Sequence, residues 1–346
     1  MKILFETTHP AHVHCFKNII WSLKKNGHQI LIVAKDKEMT LDLLEKYQFD
    51  YEIVGVNYKG MLKKAVGLLK VDYRLLKIAR KFQPDIIVGR GSPSLAHLSL
   101  LINKPYIALI DTENAHLVGL LSSPFADKIC ASTSYQGKIN PKKEIRFNGY
   151  KELAYLHPNY FTPDPNVLKY LNLTVDDKFI IIRFVGWGAT HDIEDYGFSD
   201  KVGIVEELSK YRNVFITSEI RLPDEIEQYR ISAPSEQMHH LLYYADLFIG
   251  ESATMATESA ILGTPAIFVS TSTRGYTDEL EKKYKLLFTY SNSNDIQKEA
   301  ISKAIELLKN KDTKEEWQKK RKIFLDDKID VTAFMVNLIE EYRQKI

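Results

Sequence analysis

Cysteine is almost absent. Cys15 and Cys130 are the only two in 346 residues, and they form neither a CxxC pair nor a metal-ligand spacing. A disulfide framework and a cysteine zinc site are thereby excluded, and both thiols read as small buried apolar groups in a reducing compartment. No apolar run approaches the roughly 20 residues of a membrane-spanning helix. The run in Met1-Lys2-Ile3-Leu4-Phe5 is too short for the apolar core of a signal peptide. Internal repeats and low-complexity segments are lacking too. The formal net charge is only +2, which singles out no class of partner; a nucleic-acid partner is not expected. What remains, 45% hydrophobic and 27% charged residues, is the composition of a soluble globular protein. A chain of this length suits two domains. The expected location is cytoplasmic, with contact at most to the inner face of a membrane.

Strand and helix signals alternate from the start, which predicts parallel sheets covered by helices. Strands are expected at Lys2–Phe5, Gln29–Ala34, Tyr51–Val54, Asp85–Gly89, Tyr106–Ile110, Lys128–Ala131 and Ile145–Phe147, with a helix from about Val13 after the first. Gly149, Pro158, Pro163 and Pro165 then mark a change of character. The domain reading is 1–150, a linker at 151–165, a second α/β domain at 166–330, and a final helix at 331–346 packing back on the first domain. Strands of the second domain are expected at Phe179–Val185, Val214–Thr217, around Leu247, and at Ala266–Val269. Two doubly wound domains facing a central cleft would bind ligands in the loops after strands.

The most informative stretch is Glu251-Ser252-Ala253-Thr254-Met255-Ala256-Thr257-Glu258, running on to Gly263 and Pro265. It follows an apolar strand and turns into a helix, so the amides at Ser252, Ala253 and Thr254 and the positive helix end converge on one point, as a phosphate requires. Glu258 lies about two turns into that helix, where a carboxylate can accept hydrogen bonds from a vicinal diol such as a ribose. Gly263 fits a left-handed C-cap and Pro265 stops the helix. An ordinary capped crossover explains Ser252, Gly263 and Pro265, but not a carboxylate among small residues. A hydrolase elbow, G-x-S-x-G, is excluded because Thr254 stands where a glycine is needed.

With that motif in the second half, the chain resembles GT-B proteins. The spacing from Glu258 to Gly263 and Pro265 is similar to that of the lipid-II-forming N-acetylglucosaminyltransferase and of UDP-N-acetylglucosamine 2-epimerases. HPAHVHCFKNIIWSLKKNGH, DTENAH, RFVGWGATHD and GESATMATESAILGTP together resemble domain-of-unknown-function family 354 over nearly the whole chain. The resemblance implies a nucleotide sugar held by the second domain and an acceptor by the first.

His12 falls where the lipid-II-type transferases carry Gly-His-x-x-Pro, although Ala11 and Cys15 replace the glycine and proline. An inverting transfer needs a base near neutral pH, and imidazole suits it; His14 is the second choice and His9 the third. Three histidines at spacings of three and two do not form a helical zinc pair, so no metal and no cofactor is expected. Asp111 and Glu113 follow a strand; Glu113 matches the catalytic carboxylate of the 2-epimerases, yet Gly89-Arg90-Gly91-Ser92 replaces their Gly-Asp-Thr loop. Asp111 and Glu113 are read as acceptor contacts or base partners, with a capping role the alternative for Asp111.

In the second domain Arg183, Gly186 and Gly188 close a strand, where glycines admit a ligand to the backbone and Arg183 or His191 neutralises a departing diphosphate. The missing third glycine argues against NAD. Arg274 and Glu279 are candidates for the donor sugar, and Glu219 is a weaker one. Lys59 to Lys81 carries eight cations against Asp72 alone, and apolar residues alternate with them over 58–71, as on a helix resting on anionic lipid. The resulting expectation is a metal-independent, inverting GT-B glycosyltransferase with a glycan or lipid-linked acceptor. A 2-epimerase-like isomerase and a non-catalytic nucleotide-sugar-binding subunit are the rivals.

Overall fold

A computed structural model describes the chain apart from residues 38, 57–60, 112, 114–121, 187–196, 273, 292–294 and 343–346 and the side chains of 61–65. Gly188, His191 and Lys59 therefore lie outside the described residues. The chain divides into two compact units, Met1–Tyr160 with Ile329–Ile346, and Phe161–Lys328.

In the first unit the elements run β1 (Lys2–Thr7), α1 (Pro10–Lys25), β2 (Gln29–Asp36), α2 (Thr40–Lys46), β3 (Tyr51–Val56), α3 (Met61–Phe82), β4 (Ile86–Gly89), α4 (Pro93–Ile102), β5 (Tyr106–Ile110), β6 (Lys128–Ser132), β7 (Glu144–Phe147) and α5 (Leu153–Leu156). The seven strands form one sheet in the order β3-β2-β1-β4-β5-β6-β7, every pair parallel. Central strands of a parallel sheet are covered on both faces, which is why β1 and β4 are near-continuous apolar runs. Ile3, Leu4, Phe5, Ile86, Ile87 and Val88 are all fully buried. The order reverses between β1 and β4.

α1 begins three residues earlier than the periodicity suggests. His9 is its N-cap, its Nδ1 accepting from the Ala11 amide at 3.2 Å, and Pro10 starts the helix; proline tolerates that position because its missing N–H would have had no helical partner. His12 and His14 consequently sit on a helix and not in a loop. The expected linker is another difference. Lys151, Glu152 and Leu153–Leu156 are buried, and α5 packs against α1. The prolines that suggested a linker flank this piece rather than interrupt it.

The second unit comprises β8 (Phe179–Phe184), α6 (Lys201–Ser209), β9 (Asn213–Ser218), α7 (Met238–Tyr244), β10 (Leu247–Gly250), α8 (Ala253–Leu262), β11 (Ala266–Val269), α9 (Gly275–Lys282), β12 (Leu287–Tyr290), α10 (Ile296–Lys309) and α11 (Thr313–Asp327). Its five parallel strands run β12-β11-β10-β8-β9, reversing between β8 and β10. β12 had no clear alternation to reveal it; it is a short edge strand beside β11. The last helix, α12 (Val331–Glu341), belongs to the first unit and packs on α1 and α5. Two doubly wound parallel sheets give the GT-B-like fold class.

Candidate functional site

In the second unit the loops that matter leave β8 and β10, the strands on either side of the reversal, where open sheets receive ligands. β10 lies close against β8 because Gly250 has no side chain; a Cβ there would stand 2.7 Å from the Arg183 carbonyl oxygen. The chain then enters α8. Ser252 caps it, its hydroxyl accepting from the Met255 amide at 3.3 Å, and the Ser252 carbonyl accepts the Ala256 amide at 3.0 Å. The amides of Ala253 and Thr254 have no carbonyl within the helix to receive them, so the helix start is polarised for an anion. At the other end Gly263 takes φ +77°, the left-handed cap.

Glu258, 5% exposed, is on the inner side of this helix, and its Oε1 lies 3.0 Å from His239 Nε2 at the start of α7. Glu251, at the end of β10, accepts from the amides of Val185 and Phe198, both at 2.8 Å. It thereby ties the chain just after β8 to the chain just before α6. Arg183 donates to Thr217 Oγ1 at 2.9 Å and pairs with Glu219, whose other oxygen receives the Gly186 amide at 3.3 Å. The cation that the sequence assigns to a diphosphate is thus neutralised by Glu219. Arg274 donates to Ser272 Oγ at 2.7 Å, and its amide donates to Thr277 Oγ1 at the start of α9. Glu279, the other donor-sugar candidate, has its Oε1 2.8 Å from Lys328 Nζ, a side chain with 0% exposure, so that carboxylate also balances a buried ammonium.

In the first unit the start of α1, just after β1, carries His12, and the loops after β4 and β5 carry Arg90 and Asp111. Arg90, its side chain 7% exposed, pairs with Asp111 Oδ1, and Lys151 Nζ lies 2.5 Å from both Asp111 Oδ2 and Glu152 Oε1. Burial pushes the Glu152 carboxyl up, opposed by Lys151. His12 Nδ1 is 3.4 Å from both the Thr8 amide and the Thr8 hydroxyl. Its pKa is held well below the ordinary imidazole value, first by desolvation and then by the Arg90 cation, with His9 and Lys151 adding to the effect and Asp111 opposing it. The ring is neutral at physiological pH. While the Thr8 amide donates to Nδ1, the ring proton sits on Nε2; when Nδ1 instead donates to Thr8 Oγ1, Nε2 carries the lone pair. Glu113 Oε1 accepts the Gln136 amide at 3.2 Å.

His14 has different surroundings. It is 8% exposed, with Nδ1 3.2 Å from the Tyr47 hydroxyl, and its ring lies 5.6 Å from that of Tyr155. Two positions along a helix turn a side chain to another face, so His14 belongs to the packing of α1 while His12 faces Arg90. Sequence reasoning missed Arg90, Lys151, Glu152, His239 and Glu251. Arg90 stood at a strand end in a glycine-flanked loop, which was a usable signal. Nothing local marks Lys151 or His239, which meet their partners across 40 and 19 positions. Among the described residues no group of three or more His, Cys, Asp or Glu could hold a metal, and no helix is long and apolar enough to cross a membrane.

The uncharacterized protein MJ0665 of Methanocaldococcus jannaschii is 26% identical over 280 residues, 77% of this chain and 81% of the relative. The UDP-N-acetylglucosamine–N-acetylmuramyl-(pentapeptide) pyrophosphoryl-undecaprenol N-acetylglucosamine transferase of Clostridioides difficile is 24% identical over 306 residues, 80% of this chain and 69% of the relative. Among solved structures, a putative UDP-N-acetylglucosamine 2-epimerase from Listeria monocytogenes aligns with TM-score 0.71 at 13% identity, covering 100% of this chain and 97% of the other. The UDP-GlcNAc 2-epimerase from Neisseria meningitidis bound to UDP-GlcNAc aligns with TM-score 0.67 at 14% identity, covering 100% of both chains. The family described as "Protein of unknown function (DUF354)" matches residues 1–344, and the chain belongs to it.

Proposed function

We propose that this DUF354 protein is a glycosyltransferase that binds a nucleoside diphosphate sugar through its second unit and moves the sugar to a hydroxyl of a glycan or lipid-linked acceptor, with inversion and without a metal. One observation carries the reading: α8 combines a Ser252-capped, anion-ready N-terminus with a buried carboxylate, Glu258, further along the same helix. The amides of Ala253 and Thr254 receive the diphosphate and Glu258 the ribose diol. Gly186 lets backbone approach, Arg183 exchanges Glu219 for the leaving phosphate, and Arg274 is assigned to the donor sugar. The relative from Clostridioides difficile, a UDP-N-acetylglucosamine-dependent transferase by name, and the neighbour bound to UDP-GlcNAc support the nucleotide-sugar class.

In the proposed step the acceptor oxygen bonds to the anomeric carbon while the bond from that carbon to the diphosphate oxygen breaks. The electron pair leaves on the diphosphate, stabilised by the helix end and Arg183, and the hydroxyl proton passes to His12 Nε2, with Nδ1–H donated to Thr8 Oγ1. Asp111 holds Arg90 and Lys151 in place beside that ring, and Glu113 is assigned to the acceptor. The acceptor side is proposed to approach an anionic membrane surface through 58–71, in polysaccharide biosynthesis at the inner face of the cytoplasmic membrane.

Calorimetry with UDP, GDP, CDP and dTDP tests the site. One nucleotide is expected to bind best, and Glu258→Ala is expected to lose roughly 2–4 kcal/mol of it while keeping the fold. Unchanged affinity in that variant would make the ribose assignment wrong. The epimerase reading draws on the two solved neighbours. It is disfavoured because Gly89-Arg90-Gly91-Ser92 replaces the Gly-Asp-Thr loop of the 2-epimerases, and epimerisation by elimination needs several acid and base groups around one ring. Conversion of the sugar nucleotide without any acceptor would restore it, and donor binding with no turnover on any acceptor would favour a binding subunit.

A further inference from the structure

We infer that His239 is the positioning residue of the nucleotide site, holding Glu258 so that the protein distinguishes a ribose diol from a nucleotide that lacks one. The inference rests on the reading of Glu258 as the ribose ligand and adds to it the residue that makes the carboxylate selective. The two side chains are 6% and 7% exposed, and His239 Nε2 lies 3.0 Å from Glu258 Oε1. A carboxylate enclosed this far from water needs a hydrogen-bond donor inside the protein. An Nε2–H donor on one oxygen supplies it and fixes the carboxylate's orientation. A carboxylate has about four lone-pair sites, so one bond to His239 leaves capacity for two vicinal hydroxyls.

The imidazole is itself fixed. Phe161 meets the His239 ring edge-on, with centroids 6.5 Å apart and planes at 89°, and packs on the His240 ring at 4.8 Å with a tilt of 37°. His240 Nδ1 in turn accepts the Asp164 amide at 2.9 Å. The segment that opens the second unit thus buttresses the start of α7, α7 presents His239, and His239 sets the Glu258 carboxylate on α8. None of these contacts involves the phosphate end of α8, so the effect belongs to the sugar hydroxyls.

The test compares UDP with 2′,3′-dideoxy-UDP by calorimetry on the full chain, as the parent and as Glu258→Gln, His239→Asn, His239→Phe and His239→Gln. The parent should prefer UDP. His239→Asn, too short to reach Oε1, and His239→Phe should each lose about tenfold or more of that preference, the worth of one hydrogen bond to a charged group, with dideoxy affinity unchanged. His239→Gln, whose amide reaches the Nε2 position, should restore it. Should the Phe variant fail to fold, the Asn and Gln pair decides. If the Asn variant keeps the parent's preference while Glu258→Gln loses it, the positioning role is overturned and the ribose reading stands. If Glu258→Gln also keeps the preference, the ribose reading itself fails. A parent that binds neither nucleotide overturns both.

Discussion

His12 shows how much a single side chain depends on what surrounds it. Desolvation and the Arg90 cation hold its pKa below the ordinary imidazole value, so the ring is available as a base throughout the physiological range. His12→Ala is expected to lower turnover by about two to four orders of magnitude with donor affinity nearly unchanged; an equal loss of donor affinity, measured by calorimetry, would assign His12 to nucleotide binding instead. The acidic limb of kcat/KM should lie below pH 6.5, and Arg90→Met, by removing the leading cation, should move it upward. The sign for stability follows from linkage. Between about pH 6.5 and the lower folded value the unfolded ring binds a proton that the folded ring does not, so stability falls on acidification through that window. Urea titrations of parent and His12→Gln at pH 7 and pH 5 would reveal it. The different surroundings of His12 and His14 could not be read from spacing alone, because they depend on which helix face lies toward Arg90 and which meets Tyr47.

Among the elements, α11 has the clearest structural task. Lys314 donates to the carbonyls of Tyr243 and Ala245 at 2.5 and 2.9 Å, Gln318 to those of Leu262 and Gly263 at 3.2 Å, and Arg321 to that of Ile261 at 2.9 Å. Spacings of four and three residues place all three on one face, which therefore caps the carboxyl ends of both α7 and α8, the helices whose other ends bear His239 and Ser252. Lys314→Met takes the ammonium donor from the Tyr243 and Ala245 carbonyls, the former keeping the Thr264 hydroxyl at 3.3 Å, and should cost roughly 1–3 kcal/mol, read as a lower urea midpoint with an unchanged slope. α3 presents a different kind of face. Val66, Leu69 and Tyr73 are 54%, 71% and 72% exposed, with Lys70, Arg74 and Lys77 exposed beside them. Replacing Lys59, Lys63, Lys64 and Lys70 by Gln should weaken sedimentation with anionic vesicles by about 1 kcal/mol per charge; a parent protein that does not bind such vesicles at low salt removes the membrane from the account.

At the scale of the whole molecule, the chain leaves the first unit after Tyr160 and rejoins it at Ile329. The first unit is therefore incomplete until the last helix is made. Val331, Met335 and Ile339 of α12 are fully buried. At about 1.5–3 kcal/mol for each buried side chain, ending the chain after Asp330 removes about as much as a domain's whole net stability. Such a truncation should unfold the first unit and leave the second folded, seen as hydrogen exchange lost from β1 to β7 while β8 to β12 keep protection. Loss of protection throughout both units would show that they fold as one.

The sequence by itself determined the alternation of strands and helices, the doubly wound class of both sheets and the caps of α8. Each of these depends on neighbours within a few residues: an apolar run long enough for a covered strand, a serine before a helix, a glycine after it. Only the tertiary structure decided which charges meet. Asp111 meets Arg90 and Lys151, Glu279 meets the buried Lys328, and Glu258 meets His239, and none of these partners stands near it in sequence. The physical reason is common to all three. A buried charge or hydrogen-bonding group must find its partner wherever the packing of distant elements provides one, and no local pattern records that choice.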